Sequence, residues 1–308
     1  MTSKVLVIVG PTASGKKKLS LKAAEQFNGE IVSADSRKVY RYLDIGTAKP
    51  SPEERNRVPH HLIDIVDPDE AFSAGEWVKR ASPVVKDIIA RGRLPMLSGG
   101  TGFYIKAFQE GLSDGISPDP EVRKNLDEEL DDLGPSAMYR KLSELDPVRA
   151  SELHENDTFR VIRALEIYYT TGSTITALRN EGKNTGGDYE YFSIGLTMPR
   201  EMLYRRIDER ADNMVANGVA DELKNVLDMG YPRELPSLNT VGYKEWFPWL
   251  DGTESFERCL EDMKRNTRRY AKRQLTWFKA QPDIHWIDGM KPAACEETLG
   301  DAEKWLTV

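Results

Sequence analysis

The chain has 308 residues, 39% hydrophobic and 30% charged, with a formal net charge of −7 at pH 7. This is enough apolar surface for a buried core and too much for a disordered chain, while two cysteines without a CxxC and four histidines support neither a disulfide framework nor a Cys/His zinc site. No run of about 18 apolar residues offers a membrane span, and Met1 to Lys4 leaves no room for a signal peptide, so a soluble, cytoplasmic, monomeric protein with no membrane partner is expected.

Val5 to Val9 is short, apolar and β-branched, which reads as a buried parallel strand. From Gly15 onward Leu19, Ala23 and Phe27 recur at helical spacing, so the glycines of Gly10-Pro11-Thr12-Ala13-Ser14-Gly15-Lys16-Lys17 sit where a strand hands over to a helix. This stretch fits G-x-x-x-x-G-K-[ST] except at its last position, where Lys17 replaces the hydroxyl residue. Backbone N–H groups in such a turn face one concavity, the helix dipole adds positive potential, and Lys16 supplies a point charge, so the loop should bind a phosphate group. GEIVSADS predicts a second strand that delivers Asp35 and Ser36 to the carboxyl edge of a parallel sheet, where ligands bind in open α/β folds. Leu94 to Ser98 reads as a third strand, running into GGTGFY (Gly99 to Tyr104) and a helix to about Phe108.

From Ser113 to Gly187 the pattern turns to charged helical segments broken at Pro118, Pro120, Gly134-Pro135 and Pro147, with a Gly-rich exit at Asn184 to Gly187. The expected organisation is a core of residues 1–112, a helical insertion of residues 113–187 and a second part of the core over 188–308. Tyr191 to Met198 reads as a returning strand, Arg200 to Met229 and Glu254 to Lys279 as long helices, and His285 to Asp288 as a last strand. The fold class is thus α/β, a P-loop NTPase-like parallel sheet core with a helical insertion domain.

Acidic net charge opposes a nucleic-acid partner, but its distribution does not. Lys264, Arg265, Arg268, Arg269, Lys272, Arg273 and Lys279 carry no acidic residue among them, with Arg265, Arg269 and Lys272 on one helix face and Ala271, Leu275 and Phe278 on another. His60 and His61 lack a third ligand and read as structural, whereas Asp64 and Asp67 are candidates to support a magnesium ion. Tyr168, Tyr169, Trp246, Trp249 and Trp277 read as packing aromatics. From the residues alone, Asp35 serves equally as a general base or as a turn cap, and Thr101 as a ligand hydroxyl or a helix N-cap.

In GPTASGK, SADS, VYRYLDIGTAKP, HHLIDIVDP, GGTGFY, NDTFRVIRALEIYYTTG, VGYKE and RRYAKRQLTWF, in this order over nearly the whole chain, the sequence resembles the tRNA dimethylallyltransferases (tRNA isopentenyltransferases), in their bacterial form without a C-terminal zinc finger. The resemblance implies transfer of a dimethylallyl group from its diphosphate to the exocyclic N6 amine of the adenosine 3′ of the anticodon, with Mg²⁺ as cofactor and dimethylallyl diphosphate and the tRNA anticodon stem-loop as partners. It implies Asp35 as general base and Thr101 at the substrate channel. Gly10, Pro11, Thr12, Ala13, Ser14, Gly15, Lys16 and Lys17 would hold the diphosphate. The implied tRNA contacts are Asp35, Ser36, Arg37, Lys38, Thr101, Phe159, Arg160, Val161, Ile162, Arg163, Asn239, Thr240, Val241, Gly242, Tyr243, Lys244 and Arg273, with Arg123 as a further candidate. The target base would have to leave its stack.

Two positions depart from the family pattern: Lys17 stands for Ser or Thr, and Lys38 for the usual Gln. An ammonium has no lone pair for a metal, so either water replaces the hydroxyl, or Lys17 itself neutralises the diphosphate, or activity weakens; retained activity with looser magnesium dependence is expected. Competing readings are an ATP-dependent P-loop kinase, disfavoured because Leu94 to Ser98 ends without a carboxylate, and a catalytically impaired tRNA-binding protein.

Overall fold

The computed structural model describes residues 2–111, 119–181 and 189–307. They fall into two compact units, one of residues 1–105 with 188–308 and the other of residues 106–187. Among the described residues no helix is long and apolar enough to cross a membrane.

The first unit begins with β1 (Ser3–Val9), fully buried from Val5 onward, and passes through the glycine loop into α1 (Lys16–Gln26). Next come β2 (Gly29–Ser33), α2 (Pro52–Arg57) and the two-residue β3 (His60–His61). Helix α2 starts at Pro52 because Ser51 and Glu54 form a complete capping box around it. Helix α3 (Ala74–Ala90) opens on the Ser73 cap and buries Trp77, whose Nε1 donates to Ser33 O at 2.9 Å under the sheet. Strand β4 (Leu94–Ser98) leads into α4 (Gly102–Glu110).

The second unit takes the end of α4 and continues with α5 (Pro120–Leu133), α6 (Pro135–Leu145), α7 (Pro147–Ser151), α8 (Thr158–Thr171) and α9 (Ile175–Glu181). The prolines that read as breakers are helix starters: Pro120, Pro135 and Pro147 each occupy the first turn, where the missing N–H is no loss. Leu126, Met138, Leu142, Val161, Ile162, Leu165 and Ile175 form its core. Asp146 caps α7 through Arg149 N and also accepts the Thr176 N–H and hydroxyl, joining α7 to α9. Ser113, Pro118 and the Gly-rich exit at 184–187 lie outside the described residues.

Back in the first unit are β5 (Tyr189–Thr197), α10 (Arg200–Ala216), α11 (Val219–Asp228), α12 (Phe247–Leu250), α13 (Phe256–Lys279), β6 (Ile284–Asp288) and α14 (Pro292–Thr307). The single helix expected over Arg200 to Met229 is two, because Gly218 takes φ 86° and ends the helical path there. The six strands form one parallel sheet in the order β3-β2-β4-β1-β5-β6. β2 and β4 run side by side past their ends: a Cβ on Gly99 would lie 1.9 Å from Ala34 O, so only glycine fits where the two site loops touch.

Candidate active site

Strand β1 aims the glycine loop at the carboxyl edge of the sheet, and Gly15, with φ 97°, opens α1 behind it. Ala13 packs against Leu203 and Ile207 of α10 and Ala271 of α13, so the loop is braced by two helices far away in sequence. From α13, Gln274 takes the Thr12 N–H on Oε1 at 2.8 Å and gives its own Nε2–H to Gly100 O at 2.9 Å. The buried Ser14 Oγ has no partner. Lys16 Nζ rests on Pro11 O at 2.7 Å.

The loop borders a cavity of about 610 Å³, within the range of small-molecule sites. Residues 12–17, 35–38, 239–242, Lys244 and Arg273 of the expected site all line it. Gly10 and Pro11 shape the loop from behind, and Thr101 lies just beyond the lining residues Gly99 and Gly100. Its hydroxyl accepts Ser36 N at 2.9 Å and donates to Ser36 Oγ at 3.2 Å, so it braces the Asp35-Ser36 turn and is not a helix cap. Asp35 Oδ1 accepts Arg37 N at 2.9 Å, a local turn bond that coexists with its place on the cavity wall.

Asp35 is the one carboxylate among the described lining residues, against nine basic side chains. Sequence reasoning missed three of them, Lys18 on α1 and Arg206 and Arg210 on α10. A Cβ on Gly15 would lie 3.8 Å from Arg206 Nη1, which places that guanidinium over the phosphate loop. The buried stripe Leu203, Ile207, Ala211 and Met214 fixes which side of α10 faces the interior, against α13 among others, and both arginines flank it; only knowledge of what α10 packs against turns that spacing into a signal. Burial, with Arg210 and Lys38 alongside, pulls the Lys16 ammonium down to about 7. Burial also lowers Lys38 and Arg210, and Asp35 opposes both shifts. The cavity therefore gathers positive charge that an anion would relieve.

Several expected roles need correction. Tyr243 is wholly buried with its hydroxyl on Glu222 at 2.5 Å, and Val161 and Ile162 are core residues of the second unit, so their side chains have no face for RNA. Asp64 pairs with Lys49 and Arg55, and Asp67 with Arg41; neither lines the cavity. His61 bonds Glu30 Oε2 at 2.6 Å, but His60 does line the cavity, with Nδ1 on Val58 O. Tyr169 is exposed beneath Lys141. On α13, Arg265 meets Asp262 one turn earlier on the same helix, while Lys264 meets Asp212 and Arg268 meets Asp208, two pairs across to α10 that the linear sequence hides. Arg269, Lys272, Arg273 and Lys279 remain as an exposed stripe.

In the second unit Phe159 is 69% exposed, with the Arg123 guanidinium 5.6 Å over its ring. Arg163 pairs with the buried Glu166 at 2.9 Å, and Arg160 with Asp157.

Residues 38–281 match the model of the IPP transferase family. The chain belongs to that family. It is 46% identical over 285 residues to the tRNA dimethylallyltransferase of Desulfosudis oleivorans, covering 92% of this chain and 91% of that one, and 44% identical to that of Thermotoga maritima, covering 92% of each. The crystal structure of full-length tRNA isopentenylpyrophosphate transferase from Bacillus halodurans superposes with a TM-score of 0.72 at 42% identity, over 99% of this chain and 96% of that one. A eukaryotic dimethylallyltransferase acting on tRNA superposes with a TM-score of 0.86 at 30% identity, over 99% of this chain and 80% of that one. The parallel sheet and glycine loop are thus an IPP transferase core.

A magnesium ion is the metal that the family resemblance implies, and the residues present do not form a cage for it. Position 17 offers an ammonium, no group of three His, Cys, Asp or Glu side chains converges among the described residues, and Asp35 is the only lining carboxylate. Mg²⁺ asks for oxygen ligands in near-octahedral array, and the one lining carboxylate does not supply them as a set.

Proposed function

We propose that this chain transfers a dimethylallyl group from dimethylallyl diphosphate to the N6 amine of the adenosine 3′ of the anticodon in tRNA. The observation that carries this reading is the cavity that joins a phosphate loop, a ring of half-buried and exposed cations and one carboxylate at the neighbouring strand end. The diphosphate occupies the loop, where free N–H groups, Lys16, Arg206 and Arg210 meet its charge. As the allylic C1–O bond breaks, negative charge grows on the departing diphosphate, and these fixed donors stabilise it without reorganising. N6 of the flipped adenine forms the new bond to C1, Asp35 takes the N6 proton, and diphosphate leaves. Thr101 acts by holding Ser36, and through it the Asp35 turn. A bound Mg²⁺ would supply further positive charge against the diphosphate.

RNA is held by Arg37, Lys38, Asn239 and Lys244 at the cavity and by Arg269, Lys272 and Arg273 on α13. In the second unit Phe159 and Arg123 offer a stacking surface. The test is mass analysis of nucleosides from unmodified tRNA incubated with the chain and donor. A new N6-dimethylallyl adenosine is the expected result; tRNA binding without that product would leave only a binding protein, and ATP consumption in its place would indicate a kinase.

A further inference from the structure

Lys17 occupies the phosphate-loop position where such loops usually keep a metal-ligating hydroxyl. Its side chain lines the cavity, yet Nζ is parked on Glu54 Oε2 at 2.9 Å. Glu54 is the N3 residue of the α2 capping box and takes Ser51 N at 2.8 Å on the same oxygen. The side chains are 49% and 21% exposed, which puts the pair in the class whose net worth is about 0–1 kcal/mol. An arriving diphosphate carries more charge than Glu54 and offers several oxygens, so it outcompetes the carboxylate for this cation.

We infer that Lys17 is a counter-charge for the donor's diphosphate in this chain, handed over from Glu54 as the head group binds, and that it takes the neutralising share otherwise left to a divalent metal. The inference rests on the proposed function only in that the loop receives a diphosphate. Its consequence is that head-group affinity is set by side chains and is weakly coupled to Mg²⁺. Lys17 makes no bond to the metal; it makes the metal dispensable for binding. Even on Glu54, Lys17 adds to the positive charge around Lys38, which burial, Arg210 and Lys17 all lower.

The experiment is calorimetric titration with inorganic diphosphate, with magnesium or with chelator, of the natural chain, Lys17→Thr, Glu54→Gln and the double variant. Magnesium also complexes diphosphate in solution, so the readout is the ratio of affinities between chains at each metal level. Without metal, Lys17→Thr should bind about 10-fold more weakly than the natural chain, and magnesium should recover most of that loss. Glu54→Gln keeps the capping box and releases Lys17, so it should bind about 2- to 3-fold more tightly, an effect absent when position 17 is threonine. Equal ratios at both metal levels, or a Glu54→Gln gain that persists in the double variant, would overturn the inference. No binding by any chain would instead refute the diphosphate reading itself, and melting curves show whether each variant is folded.

Discussion

The Thr12 amide donates to Gln274 Oε1 at 2.8 Å, so the phosphate loop and the basic helix α13 share one hydrogen bond across 262 residues of sequence. The Gln274 side chain in turn donates its Nε2–H to Gly100 O, and a Cβ on Gly100 would meet Nε2 at 2.3 Å, so the junction is closely fitted. Gln274→Glu keeps an acceptor for Thr12 but sets a second carboxylate oxygen against Gly100 O and puts an anion beside the diphosphate. It should lower inorganic diphosphate affinity by at least ~10-fold, whereas Gln274→Ala, which loses two buried hydrogen bonds, should act mainly on stability, by ~1–3 kcal/mol. Calorimetry and urea unfolding separate the two effects; equal diphosphate affinities in the two variants would refute the charge argument.

Lys16 gives a pH dependence with a definite sign. Its ammonium titrates near 7 in the empty site, against an ordinary value of 10.5. Above pH 7 the empty site holds a largely neutral lysine, and bound diphosphate restores the charge, so binding takes up a proton. Affinity should fall as pH rises from neutral toward 9, and Lys16→Arg should flatten that slope, checked by titration in buffers of different ionisation enthalpy. For folding, the unfolded chain binds the extra proton between about 7 and 10.5, so this group destabilises the native state fully below 7 and is relieved as pH rises. Lys16→Met should therefore raise stability at pH 7 by ~1–2 kcal/mol while abolishing donor binding.

Glu222 holds the loop opposite. Its carboxylate accepts the amides of Asp44 and Ile45 at 2.8 Å and of Gly46 at 3.2 Å, together with the Tyr243 hydroxyl. Glu222→Ala strands three amides and should cost ~2–3 kcal/mol, Tyr243→Phe about 1 kcal/mol. In a double-mutant cycle by urea denaturation the pair should cost little more than Glu222→Ala alone, because the second change removes a bond already broken. Full additivity would mean that the two residues act separately.

How much of this was legible depended on range. The glycine loop announced itself because hydrophobic period changes from strand to helix within a few residues of Gly10, and Asp35 followed from a strand ending in SADS. These are local signals. Arg206 and Arg210 were invisible because their meaning comes from packing α10 against Ala13. The basic run on α13 was over-read for the same reason: Asp208 and Asp212, which neutralise Arg268 and Lys264, arrive from α10. Family blocks also carried buried neighbours with them, so Tyr243, Val161 and Ile162 came in beside residues with an exposed face.

That distinction can be tested within NDTFRVIR. Phe159 and Val161 are two positions apart on α8, but Phe159 is open to solvent under Arg123 and Val161 is 1% exposed. Phe159→Ala removes a stacking surface and little packing. It should leave the urea midpoint within the range of ordinary surface changes, about 0.5 kcal/mol, and weaken tRNA binding by ~1–3 kcal/mol. Val161→Ala deletes buried methyl groups and should destabilise by ~1–3 kcal/mol while tRNA affinity per folded molecule is unchanged. Filter binding with unmodified tRNA, corrected for the folded fraction, reads both. If Val161→Ala weakened binding as much as Phe159→Ala, the buried side of α8 would be part of the RNA surface after all.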